Sequence, residues 1–339
     1  MVIMSKNYFK GVLMYIKELK FSLWADFIER DYLDNEFKKL IEAGLVNGAT
    51  SNPAIFKNAI LNSPAYKEQL SGLSDLSAKE KYEALAMHDI TKAADMLRPL
   101  FDKKDDGYVS IEVDPSLCDD ANATIAEGRR LFESMNRPNI MIKVPATNAG
   151  YSAMKALTAL GIPVNATLIF KKEQALACAQ AFKEGMQEGQ KVVDTVISVF
   201  VSRVDRALDA KLAENGIQTA LTGIYNSAEI YEAVEAMEVA GCRTLFASTG
   251  VKGDDLEPHY YIENLLAYNS VNTAPVETIF AFDKNGKKEK KLPIPSEVRA
   301  AHFEKIAKIG IDFEAVLDGQ IADGLEAFKV AFADILENL

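Results

Sequence analysis

The 339-residue sequence is poor in the residues that most often carry redox, metal or hydrolytic chemistry. Its three cysteines, Cys118, Cys178 and Cys242, are far apart and never in CxxC spacing, which argues against a disulfide framework or a zinc knuckle and fits a reducing, cytoplasmic setting. Its three histidines, His88, His259 and His302, are scattered without ligand or triad spacing. HExxH, GxSxG, GxGxxG and GxxxxGK[ST] are all missing, so zinc-peptidase, serine-hydrolase, dinucleotide and P-loop chemistries lack their parts. There is no basic excess: 38 Lys and Arg against 49 Asp and Glu leave a net charge of -11, which offers no field to a nucleic-acid backbone. Apolar runs never approach the ~18 residues of a membrane span. The start "GVLMYIK" is brief, broken by charge and followed by no small-residue cleavage site, so neither export nor membrane insertion is expected.

What remains is an ordinary globular composition, 48% hydrophobic and 26% charged. Eight short apolar or alternating runs are each followed by a helical pattern: Phe21–Asp26, Val46–Asn52, Tyr108–Val113, Asn139–Val144, Pro163–Phe170, Asp194–Phe200, Arg243–Ser248 and Asn269–Pro275. Between them, Tyr151–Leu160 places Met154, Leu157 and Leu160 at helical spacing and stops at Gly161, while "SAKE" at Ser77–Glu80 reads as a capping box. Eight strands alternating with helices predict an α/β protein with a parallel sheet, closed as a single (β/α)₈ TIM barrel over residues 1–339. An open doubly wound sheet is the alternative. Extra helices are expected at the N-terminus, in the insertion Lys57–Lys104 after the second strand, and at the C-terminus beyond Pro275, where the tract "GKKEKK" reads as a solvated loop.

The strands carry polar residues that a barrel must place somewhere. Side chains alternate, so in "NIMIKV" Ile140, Ile142 and Val144 share the face turned to the helices, and Lys143 goes with Met141 into the barrel. By the same parity Trp24 goes with Asp26, Ser110 with Glu112, Asn165 with Thr167, and Ser198 with Phe200, while Asn52 and Ser248 stand at strand ends. Taken singly these have plain structural readings, such as a turn, a helix cap or an ion pair. Together they put one Lys, one Glu and one Asp near the C-terminal ends of different strands, where barrel enzymes gather their chemistry. An amine of pKa ~10.4 is protonated at neutral pH; desolvation worth roughly 4 kcal/mol makes it a nucleophile that forms Schiff bases with carbonyl compounds.

At this point two segments resemble a known family. "GATSNPAIF" (Gly48–Phe56) is similar to the first signature of transaldolases, and "IMIKVPATNAGYSAM" (Ile140–Met154) to the second, with similarity running from Phe21 to Pro275 and weakening beyond. The resemblance implies Lys143 as the Schiff-base lysine, Asp26 as acid/base for carbon–carbon cleavage, and Glu112 and Thr167 as holders of a proton-relaying water. It implies Thr50, Asn52, Asn165, Ser198, Phe200 and Ser248 as substrate-pocket residues, Asn52 and Asn165 on substrate hydroxyls and Phe200 beside the water site, and Arg203 as the phosphate ligand. "ASTGVK" departs from the pattern: where many members carry a second phosphate-binding arginine, Lys252 is the nearest cation. The implied reaction moves a dihydroxyacetone unit from sedoheptulose 7-phosphate or fructose 6-phosphate to an aldose phosphate in the non-oxidative pentose phosphate pathway, with sugar phosphates as the partners and no metal or organic cofactor. Fructose 6-phosphate aldolases of related fold are the near alternative; they tend to carry Gln and Tyr where this chain has Glu112 and Phe200. A non-catalytic binding barrel is the other alternative, and it would have lost one of Lys143, Asp26 and Glu112. The sequence leaves the oligomeric state open, a homodimer included.

Overall fold

The computed structural model describes residues 16–339. Its centre is a closed barrel of eight parallel strands in sequential order: β1 (Ser22–Ala25), β2 (Gly48–Ala49), β3 (Tyr108–Glu112), β4 (Ile140–Pro145), β5 (Val164–Ile169), β6 (Thr195–Phe200), β7 (Cys242–Ala247) and β8 (Ser270–Ala274). β8 pairs back to β1 over four residues, so there is no sheet edge in the barrel and the open-sheet alternative falls away. Each strand lies inside its expected run, apart from a one-residue extension at the start of β7 and at the end of β4.

The alternation of side chains divides the core in two. Ile140, Ile142 and Val144 join the cluster between strands and helices, whereas Trp24, Met141, Val196, Leu245 and Val271 fill the barrel. The three aliphatic residues flanking Lys143 each contribute about 2 kcal/mol by burial, together comparable with the several kcal/mol that burying an ion costs. The sheet can therefore hold a lysine without giving up its register. Apolar side chains fill the middle of the barrel, and Glu112, Lys143, Asn165, Thr167 and Ser198 bring polar groups toward its C-terminal end. The opposite end is closed by Arg243, which donates from both terminal nitrogens to Asp106 at 2.9 and 3.0 Å, and by Trp24 Nε1, which donates to Asp106 Oδ2 at 2.9 Å.

The expected insertion after β2 is helical, comprising Pro53–Asn62, Lys67–Ser71 and Ala78–Asp102, the last opened by the Ser77/Glu80 capping box. The helix after β4 runs from Asn148 to Ala159, starting three residues before the expected Tyr151, because the Thr147 side chain caps it by accepting from Gly150 N. Beyond β8 lie Val276–Asn285, Ser296–Lys308 and a long C-terminal helix, Phe313–Glu337. The lysine-rich tract is irregular, as expected. The expected N-terminal helix falls largely on residues 1–15, outside the described residues; the described chain begins with a 3₁₀ turn at Lys17–Leu19. Among the described residues no helix is long and apolar enough to cross a membrane.

Candidate active site

Lys143 lies one layer below the C-terminal rim of the barrel, its side chain 7% exposed. Parallel pairing sets Glu112 beside it on β3 and Asn165 beside it on β5, so the three form one row across adjacent strands. The amine donates to the Ser51 carbonyl at 3.0 Å, stands 3.5 Å from Glu112 Oε2 and lies 5.6 Å from the centre of the Phe328 ring. Burial pushes the Glu112 carboxyl up to about 7, against the pull of the Lys143 charge. Neither Glu112 oxygen makes a hydrogen bond to another described residue, and Thr167 Oγ1 is likewise buried without one. These groups can take up a small polar molecule beside the amine.

Asp26 follows β1 directly. Its backbone N–H donates to Ala274 on β8, and its Oδ1 accepts from Thr50 Oγ1 at 2.7 Å; Thr50 Oγ1 is also 2.6 Å from Thr273 Oγ1. Burial raises the Asp26 carboxyl above the ordinary carboxylate range, with the Lys143 cation and the Thr50 bond opposing. Two carboxyls of raised pKa thus flank one amine, an arrangement suited to moving protons near neutral pH.

A cavity of about 210 Å³ opens above this layer. It is lined by Asp26, Thr50, Asn52, Lys143, Thr167, Ser198, Phe200, Arg203 and Ser248, nine of the twelve residues named from the sequence. Asn52 is a helix cap as well: β2 ends at Ala49, and Asn52 Oδ1 accepts from Ile55 N at 3.0 Å while its side chain still reaches the cavity. Arg203, in the first turn of the helix Ser202–Glu214, has its guanidinium 5.2 Å from the Phe200 ring centre and no hydrogen bond or ion pair among the described residues. Burial, then the like charge of Arg206, holds its pKa below the usual guanidinium value, with Asp323 opposing. A half-buried, uncommitted guanidinium at a helix N-terminus is a fitting phosphate ligand. Ser248 has φ 55°, and Leu168, next to Thr167, has φ 59° where the β5–β6 register shifts. Such left-handed residues concentrate at functional sites.

The other three expected residues sit elsewhere. Glu112 is buried beside Lys143 and does not line the cavity. Asn165 is fully buried, donating to Ser110 Oγ at 3.0 Å and accepting from Ser198 Oγ at 2.6 Å, so its expected bond to a substrate hydroxyl competes with bonds already made. Lys252 is exposed on the loop after β7 and does not line the cavity, three residues beyond Thr249, which is fully buried against β8. Ala54, Ala247, Thr273, Ala327 and Phe328 line the cavity without having been named as site residues from the sequence. Thr273 follows from the parity already applied, since it shares the inward face with Val271; nothing in the sequence aims Phe328 at a strand residue.

Comparison with known proteins gives the family. The family model described as Transaldolase/Fructose-6-phosphate aldolase matches residues 23–339. A Campylobacter jejuni (strain RM1221) protein named Transaldolase is 46% identical over 330 residues, covering 94% of this chain and 99% of its own length. Helicobacter pylori proteins of the same name are 44% identical over 322 residues (strain ATCC 700392 / 26695) and 43% over 320 (strain Shi470), with the same coverage. The match takes in every strand of the barrel and the C-terminal helix that reaches its mouth, well beyond the two short signatures, and the chain belongs to the transaldolase/fructose-6-phosphate aldolase family.

Proposed function

We propose that this chain is a transaldolase, carrying a dihydroxyacetone unit on Lys143 between sedoheptulose 7-phosphate or fructose 6-phosphate and an aldose phosphate, in the non-oxidative pentose phosphate pathway. The observation that supports it most is the buried amine of Lys143 held between two carboxyls of raised pKa, with the uncommitted Arg203 guanidinium at the same cavity.

In this reading the neutral amine attacks the C2 carbonyl and the carbinolamine loses water to give an iminium. Glu112 and Thr167 hold the water through which protons pass, which accounts for their lack of hydrogen bonds among the described residues. The iminium draws electrons from the C3–C4 bond as Asp26 takes the C4 hydroxyl proton, and the aldose leaves. The three-carbon enamine then attacks the aldehyde of the acceptor, Asp26 returns the proton, and hydrolysis of the new iminium frees the amine. Arg203 binds the phosphate, and Asn52, whose Nδ2 makes no hydrogen bond among the described residues, binds a sugar hydroxyl. The whole chain acts as one catalytic domain. Glu112 and Phe200 favour transfer over the aldolase alternative. Borohydride reduction in the presence of fructose 6-phosphate, followed by peptide mass mapping, tests the assignment: the expected product is a three-carbon adduct on Lys143, and an adduct on another lysine overturns it.

A further inference from the structure

The C-terminal helix covers the barrel mouth and brings an apolar ring to the reacting nitrogen. Leu317, Gly324, Phe328, Ala331, Phe332 and Ile335 form its buried face at helical spacing. At Gly324 the helix comes so close that an added Cβ would lie 3.0 Å from Leu168 Cδ2 and 3.5 Å from an Arg203 guanidinium nitrogen. One turn later Phe328, 5% exposed, sets its ring 5.6 Å from Lys143 Nζ. Polar tethers fix the helix at both ends: Lys171 meets Asp318 at 2.6 Å and Glu314 at 3.1 Å, Lys57 pairs with Asp334, and Lys81 donates to the Leu339 carbonyl oxygen. A ring with core packing alone would not need to line the cavity, as Phe328 does.

We propose that Phe328 is a specificity-determining residue that keeps water, and with it a proton, from the nucleophilic carbon of the three-carbon enamine on Lys143 and so favours transfer over release. This rests on the Schiff-base reading above. The three-carbon enamine has two fates. In transfer, its nucleophilic carbon attacks an aldehyde. In release, that carbon takes a proton, water adds to the resulting iminium carbon, and the C–N bond breaks to return the amine and free dihydroxyacetone. The ring suits the cationic nitrogen, through its face, and offers a water nothing to hydrogen-bond. Its removal opens the second route without touching the groups that carry protons.

The test measures free dihydroxyacetone released from fructose 6-phosphate relative to product formed with an erythrose 4-phosphate acceptor, for the parent, Phe328→Ala and Phe328→Leu. The expected result is an intact Lys143 adduct on borohydride trapping in all three, with a release-to-transfer ratio about tenfold higher in the alanine variant and a smaller rise in the leucine variant. Equal loss of release and transfer, with the ratio unchanged in Phe328→Leu, would show a merely structural ring and overturn the proposal. Absence of any Lys143 adduct in the parent protein would overturn the reaction and this role together; a normal adduct with an unchanged ratio would overturn the role of Phe328 alone.

Discussion

Glu112 and Lys143 face one another in register on β3 and β4, 3.5 Å apart, in a layer where neither is more than 7% exposed. The pair shares a buried site without a hydrogen bond between its members, which leaves the carboxyl free to exchange a proton. Glu112 is pushed up to about 7 from an ordinary 4.5, so the fold accommodates its protonated form better. Its stabilising contribution is fully present below about 4.5 and is lost as pH rises through about 7. The rate of adduct formation should show an inflection near 7 that Glu112→Gln removes while slowing the step. A pH series of single-turnover trapping measures both; an inflection that survives the substitution excludes Glu112 as its source.

On the proposed mechanism, Asp26→Asn should separate formation of the iminium from cleavage. The amide keeps the size of the side chain but cannot take the C4 hydroxyl proton, so borohydride should trap the intact six-carbon phosphate on Lys143, where the parent gives mainly the three-carbon unit. Turnover should fall by roughly 10²–10⁴-fold, the usual range for losing a positioned general base. A three-carbon adduct formed at the normal rate would assign cleavage to another group.

Arg203→Ala should raise KM for phosphorylated sugars by about 30- to 1,000-fold, equivalent to ~2–4 kcal/mol for a partly desolvated charge-assisted contact. Lys252→Ala, altering an exposed side chain outside the cavity, should change KM less than about fivefold, in keeping with the small worth of exposed charges. Steady-state kinetics with glyceraldehyde 3-phosphate and with unphosphorylated glyceraldehyde checks both. Equal damage with the two acceptors would remove the phosphate from the account of Arg203.

Gly48→Ala tests why the first signature opens on glycine. Gly48 pairs with Trp24 across β1 and β2, and an added Cβ would come within 2.4 Å of the indole. The indole is fully buried and held by Asp106, so it has little room to move. The expected cost is about 1–3 kcal/mol of stability, as for other overpacked cores, readable in a denaturant titration. An unchanged midpoint would show that the indole can shift.

Strand parity made Lys143, Glu112 and Asp26 legible in the sequence because each stands in or directly after a strand whose register is regular, and there the two-residue period fixes which way a side chain goes. The barrel itself was legible for the same reason, eight periodic runs leaving few ways to close. Asn52 shows where this stops: β2 is two residues long, so its side chain is aimed by a helix cap rather than by strand alternation. Lys252 was a matter of proximity in sequence, and a loop can carry such a residue away from the site. Phe328 was illegible because a long-range docking, set by Gly324 and the tethers of the C-terminal helix, decides what that helix faces.

The brevity of β2 has a consequence for how the site will respond to genetic dissection. The three residues that follow Ala49 serve in turn: Thr50 holds Asp26, Asn52 reaches the cavity, and between them Ser51 gives Lys143 its nearest acceptor through the main chain. Replacing the Ser51 side chain removes its own bond to the Ser110 carbonyl but leaves that acceptor in place. A survey of every side-chain replacement would therefore score the partner of the reactive nitrogen as dispensable, and only an alteration of the peptide bond itself, such as an ester at this position, would expose it.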